Sequence, residues 1–79
     1  MNLIMKEQLL SVLKEIRPDV DFESETALFT DGILDSFDIV TIVAELNSEF
    51  DIMIGVDDLE PENMDSIEGM INLIKELQD

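Results

Sequence analysis

The sequence predicts an all-α domain of three main helices and one short one, on three observations. Apolar residues recur at three- and four-residue spacing in separate stretches near 3–16, 36–50 and 66–77. No stretch alternates apolar and polar residues for long, since Ile52, Ile54 and Val56 are too brief to make a strand. The length of 79 residues suits one domain, 1–79, burying roughly 60 to 65% of the unfolded chain's surface. So small a core should give only modest stability.

Helix one is expected from about Leu3 to Ile16, on a stripe of Leu9, Val12, Leu13 and Ile16 with Leu3, Ile4 and Met5 as a less ordered apolar start. Arg17-Pro18 ends it, because the residue before proline is pushed out of the helical region. Asp19 to Leu34 keeps neither period, yet Val20, Phe22, Leu28, Phe29, Ile33 and Leu34 lie among its acids. Such a loop should be pinned to the core, with one helical turn near Thr26 to Phe29. Asp19, Asp21 and Glu23 alternate as calcium ligands do. A calcium loop, however, needs a glycine where Ser24 stands and a bidentate acid where Thr30 stands, so no metal site is expected.

The Asp31-Gly32 turn leads into helix two, about Ser36 to Phe50, whose core stripe is Ile39, Ile42, Val43, Leu46 and Phe50. A weaker face holds Phe37, Val40, Thr41 and Ala44, with Ser48, close to Ser36. Either the flanking loop covers Phe37 and Val40, or a visiting enzyme docks there. Past a turn at Gly55, Asp57 to Glu60 reads as a short helical turn broken by Pro61. The final helix should start at Asp65 or Ser66, with a capping box from Asp65 to Glu68, and run to about Leu77. Its stripe is Ile67, Met70, Ile71 and Ile74, and Gly69 either weakens it or permits close packing.

Composition removes several kinds of chemistry. Without Cys or His there are no disulfides, thiolate nucleophiles, His-based metal sites or Ser/His triads. The formal charge is −16, from 20 acids against 4 bases. Those bases are Lys6, Lys14, Arg17 and Lys75, so Pro18 to Ile74 contains none. A surface of this kind repels nucleic acid and anionic membranes, attracts basic partners and should stabilise with added salt. No apolar run approaches a membrane span and no signal peptide is evident, so a cytoplasmic location is the default expectation.

Asp35-Ser36 opens helix two with residue types that cap helices, in a weak capping box from Asp35 to Asp38. The unpaired N–H groups and aligned dipoles there favour an anion such as a phosphate ester. Met64-Asp65-Ser66-Ile67-Glu68 repeats the pattern, and local physics does not choose between Ser36 and Ser66.

Gly32-Ile33-Leu34-Asp35-Ser36-Phe37-Asp38, at the start of an acidic middle helix, resembles the acyl carrier protein family. The resemblance extends over nearly the whole chain, through Val40 and Val43 and the Glu49-Phe50-Asp51 helix end, with Phe37 where the family usually has Leu. It implies a four-helix bundle of the acyl-carrier type. It makes Ser36, with Asp35 as its motif neighbour, the attachment point of a 4′-phosphopantetheine arm. A separate phosphopantetheinyl transferase would add that arm from coenzyme A. The arm's thiol would hold an acyl or aminoacyl thioester, which a monomeric carrier, itself no enzyme, takes between partners recognising helix two. Those partners would be an acyl- or aminoacyl-loading ligase or transferase and downstream synthase enzymes, as in fatty acid or polyketide biosynthesis. Two features set the chain apart from the fatty-acid branch. Thr41, Asn47 and Ser48 stand where those carriers commonly have Glu, and Gly32 to Ser36 is also similar to the motif of D-alanyl carrier proteins. Outside this class, the alternative is an unmodified acidic helical adaptor for a basic partner. A hydrolase with Ser36 as nucleophile would lack a base.

Overall fold

The structure, a computed structural model describing residues 3–79, consists of α1 (Leu3–Ile16), α2 (Ser36–Phe50), α3 (Pro61–Met64) and α4 (Ile67–Gln78). Helix α1 packs against both α2 and α4, and α3 packs on α4. The predicted stripes form the seams. Leu9, Val12 and Leu13 of α1 are buried, as are Ile39, Ile42, Leu46 and Phe50 of α2. From α4 come Ile67, Met70, Ile71 and Ile74, joined by Leu73. Each such side chain stabilises the fold by about 1.5–3 kcal/mol relative to exposure. Val43, expected in the stripe, lies only half-buried at its margin. At the apolar start of α1, Met5 is buried and Ile4 exposed, while the Leu3 side chain lies outside the described residues.

Pro18 stops α1 as predicted, and the Arg17 N–H still bonds to Leu13 O at 2.9 Å to close its last turn. The long connection is pinned by Phe22, Leu28 and Leu34, all buried, with Val20, Phe29 and Ile33 packed against the same core. Its helical turn lies one residue beyond the expected place, closed by Asp31 N–H to Ala27 O at 2.9 Å. Gly32 then reverses the chain at φ 72°. A Cβ there would meet nothing within 4 Å, so the backbone angle alone calls for glycine. Leu34 N–H returns to Leu28 O at 3.0 Å, fixing the approach to α2.

The expected short helix at Asp57 to Glu60 is displaced. Val56–Asp58 forms a single 3-10 turn, and the short helix proper is α3. Pro61 opens α3 instead of breaking a helix, because at a first helical position its missing N–H costs nothing. The start of α4 also differs from expectation. Ser66, not Asp65, is its N-cap, accepting from Gly69 N–H at 3.1 Å, so no box joins Asp65 to Glu68. Gly69 serves close packing, since a Cβ there would lie 2.5 Å from the Glu62 carbonyl oxygen of α3. No helix among the described residues is long and apolar enough to cross a membrane.

Candidate functional site

The α2 start is built by a reciprocal capping box. Asp35 is the N-cap with extended backbone, its Oδ1 accepting from Asp38 N–H at 2.8 Å, while Asp38 Oδ2 accepts from Asp35 N–H at 3.3 Å. Ser36 is therefore not the cap but the first residue inside the helix. Its side chain is exposed and takes part in no hydrogen bond among the described residues. The first intrahelical bond, Ile39 N–H to Asp35 O at 3.0 Å, leaves the N–H groups of Ser36 and Phe37 ahead of the ladder. A free hydroxyl at the positive end of a fifteen-residue helix can accept a phosphate ester, an anion there being stabilised by roughly 0.3–1 kcal/mol.

Beside the hydroxyl runs an open groove of about 550 Å³, whose apolar lining includes Phe29, Leu34, Ile39, Val40 and Leu59. The flanking loop does not cover the weaker α2 face. Phe37 is 79% exposed and Val40 69%. Ala44 and Ser48 are exposed too, and Thr41 is half-buried with its hydroxyl donating to Phe37 O at 3.0 Å. Asn47 faces elsewhere, its Oδ1 accepting from Ile54 N–H at 2.9 Å to fix the exit from α2.

Two residues whose roles composition and spacing did not reveal organise this end of the molecule. Arg17 donates from Nη1 to Asp38 Oδ2 at 2.5 Å and to Ile33 O at 3.2 Å, and from Nε and Nη2 to the Asp19 carboxylate, both at 2.9 Å. Hydrogen bonds from Arg17 hold the Asp19 carboxyl down at about 2. The other is Asp65, which accepts from Phe29 N–H at 2.9 Å, Thr30 N–H at 2.7 Å and the Thr30 hydroxyl at 2.7 Å. Bonds to Thr30 lead in pulling its carboxyl below the usual carboxylate range. An arginine beside a base-free acidic stretch was the available signal for the first; nothing local announced the second. No cluster of three or more potential metal ligands occurs among the described residues.

Comparison with known proteins points the same way. Residues 5–74 match the family described as a phosphopantetheine attachment site. The chain is 31% identical over 75 residues to the D-alanyl carrier protein of Bacillus cereus (strain B4264), covering 92% of this chain and 95% of that one. The same figures hold for the D-alanyl carrier protein of Bacillus anthracis (strain CDC 684 / NRRL 3495).

Proposed function

Since the chain belongs to the carrier-protein family that bears covalent 4′-phosphopantetheine, and carries substrates instead of converting them, we propose that Ser36 is its attachment residue and an aminoacyl group its cargo. The observation that carries the site is the geometry of Asp35 and Ser36. Asp35 satisfies the α2 start, and the neighbouring hydroxyl is left exposed and untethered at the positive helix end. These residues fit the group, because a phosphodiester on Ser36 Oγ would leave through solvent, beside the apolar groove, without displacing a structural bond. When bound, the arm supplies a thiol that holds the cargo as a thioester. Asp35 and Asp38 keep the helix end shaped, and Phe37, Val40, Thr41 and Ala44 offer the docking face for transferase, loading ligase and downstream enzymes. With no His or Cys in the chain, activation of the Ser36 hydroxyl falls to the transferase.

Two features support an aminoacyl cargo over a fatty acyl one. The relatives at 31% identity are named D-alanyl carrier proteins, and Thr41, Asn47 and Ser48 stand where fatty-acid carriers commonly have Glu, with Ser48 exposed on α2.

Intact mass, before and after incubation with coenzyme A, Mg²⁺ and a broad-specificity phosphopantetheinyl transferase, tests the site. One added phosphopantetheine mapping to Ser36 is expected, and none, from an enzyme active on a control carrier, would return the unmodified adaptor. The loaded protein, offered ATP and D-alanine with a D-alanine ligase or a fatty acid with an acyl ligase, should gain the aminoacyl mass. Gain of the fatty acyl mass alone would reverse the cargo assignment.

A further inference from the structure

We propose that Arg17 is a positioning residue for modification, holding the α2 start so that the Ser36 hydroxyl meets the transferase in a reactive direction; this rests on Ser36 being the attachment residue. Ser36 has no side-chain tether, so the backbone at 35–36 sets where its Cβ stands and leaves the hydroxyl only the rotation about χ1. That backbone is set by the capping box, and the box depends on Asp38, whose side chain is only 11% exposed. A carboxylate buried to that degree is costly without a counter-charge.

Arg17 supplies it. One nitrogen of its guanidinium reaches both Asp38 Oδ2 and the Ile33 carbonyl, on the two sides of the turn that delivers the chain to Ser36. The other two grip Asp19, which fixes the guanidinium in place from the α1 end. The planar fork matters, because a lysine ammonium is a point charge and does not span these three partners in one geometry. No other base lies between residues 18 and 74. Among the described residues, Arg17 is thus the base that ties the start of α2 to the end of α1 by hydrogen bonds, beside the apolar packing of the two helices.

Position is worth rate in such a transfer. Ser36 Oγ forms a bond to the pantetheine-bearing phosphorus of coenzyme A, the bond from that phosphorus to the bridging oxygen breaks, and the adenosine bisphosphate half leaves. The hydroxyl proton passes to the transferase. A displacement of about 1 Å at the attacking oxygen can cost on the order of 100-fold.

The test is steady-state modification of the full chain and its variants with coenzyme A, Mg²⁺ and a broad-specificity phosphopantetheinyl transferase, at a temperature where circular dichroism shows each folded. Arg17→Ala should lower kcat about tenfold. Amide exchange should quicken at 36–39 while remaining unchanged at 70–74 in α4. Adding Asp38→Asn to Arg17→Ala should restore much of kcat, since an uncharged amide can still accept from Asp35 N–H without a counter-charge. Unchanged kcat in folded Arg17→Ala overturns the proposal, as does a loss confined to KM, which would make Arg17 a docking contact. Should Arg17→Ala not fold, Arg17→Lys carries the test: a drop in kcat of about threefold at unchanged ellipticity supports positioning, and no drop overturns it. A wild type that takes no arm at Ser36 overturns the underlying reading, and is told apart because every other outcome starts from a modified wild type.

Discussion

The starts of α2 and α4 carry the same dipeptide, Asp35-Ser36 and Asp65-Ser66, and treat it in opposite ways. At α2 the aspartate is the cap, so the serine falls one position inside the helix with its hydroxyl unused. At α4 the aspartate is drawn off to Phe29 and Thr30, so the serine becomes the cap and spends its hydroxyl on Gly69 N–H. A one-residue shift in register separates a hydroxyl free to react from one that is structural. The surroundings deepen the difference. Ser36 borders a groove of about 550 Å³ whose lining is mostly apolar, with Asp35 its one charged residue, whereas Ser66 borders one of about 170 Å³ walled by Glu23, Glu25 and Glu68 with Lys6.

The comparison breaks most visibly under arm attachment. Ser36→Ala should give no adduct at all, and Ser66→Ala a full adduct at Ser36, as read by intact mass and peptide mapping. An adduct surviving in Ser36→Ala would transfer the role to Ser66 and undo the register argument. Next in size is Gly69→Ala, at the third position of α4, where Asp38 stands in α2. The new methyl would meet the Glu62 carbonyl oxygen at 2.5 Å, so a loss of about 1–3 kcal/mol in urea unfolding is expected. No loss would show that α3 yields without cost.

How much of this could be read from the sequence follows the same line. The stripes of α1, α2 and α4 were legible because burial along a helix repeats every 3.6 residues, and Leu9, Ile42 and Ile74 are fully buried where that period placed them. The Asp35 to Asp38 box was legible because it is local. What escaped was decided by partners distant in sequence. Asp65 leaves its expected cap for Thr30, 35 residues away, and Arg17 reaches Asp38 across 21. The short helix was misplaced for a local reason, in that Pro61 serves as well to start a helix as to stop one. Exposure of Phe37 and Val40 depended on the path of the loop, which no periodicity records.

The caps sharpen the contrast at smaller scale. Ser66→Ala removes an N-cap hydroxyl and should cost about 1 kcal/mol, while Ser36→Ala, at a position that alanine fills well, should stay within about 0.5 kcal/mol of wild type. Thermal unfolding of both at equal salt checks this, and equal losses would mean that the two serines share one role.

The smallest expected effect isolates what draws Asp65 away. In the folded chain its carboxyl lies below the ordinary 3.8, because Thr30 and Phe29 donate to the charged form. A lowered folded-state value means that its stabilisation is fully present above the unfolded value and is lost as pH falls through the folded one. The Thr30 and Phe29 amide signals should therefore titrate together with a midpoint below 3.8 in wild type and lose that step in Asp65→Asn. Asn keeps one acceptor oxygen but no charge, so the connection should stay closed while its acid dependence flattens. A wild-type midpoint at or above 3.8 would mean that Asp65 is not held by these donors in solution. The aspartate would then be available to cap α4, freeing Ser66, and the difference between the two helix starts would rest on their surroundings alone.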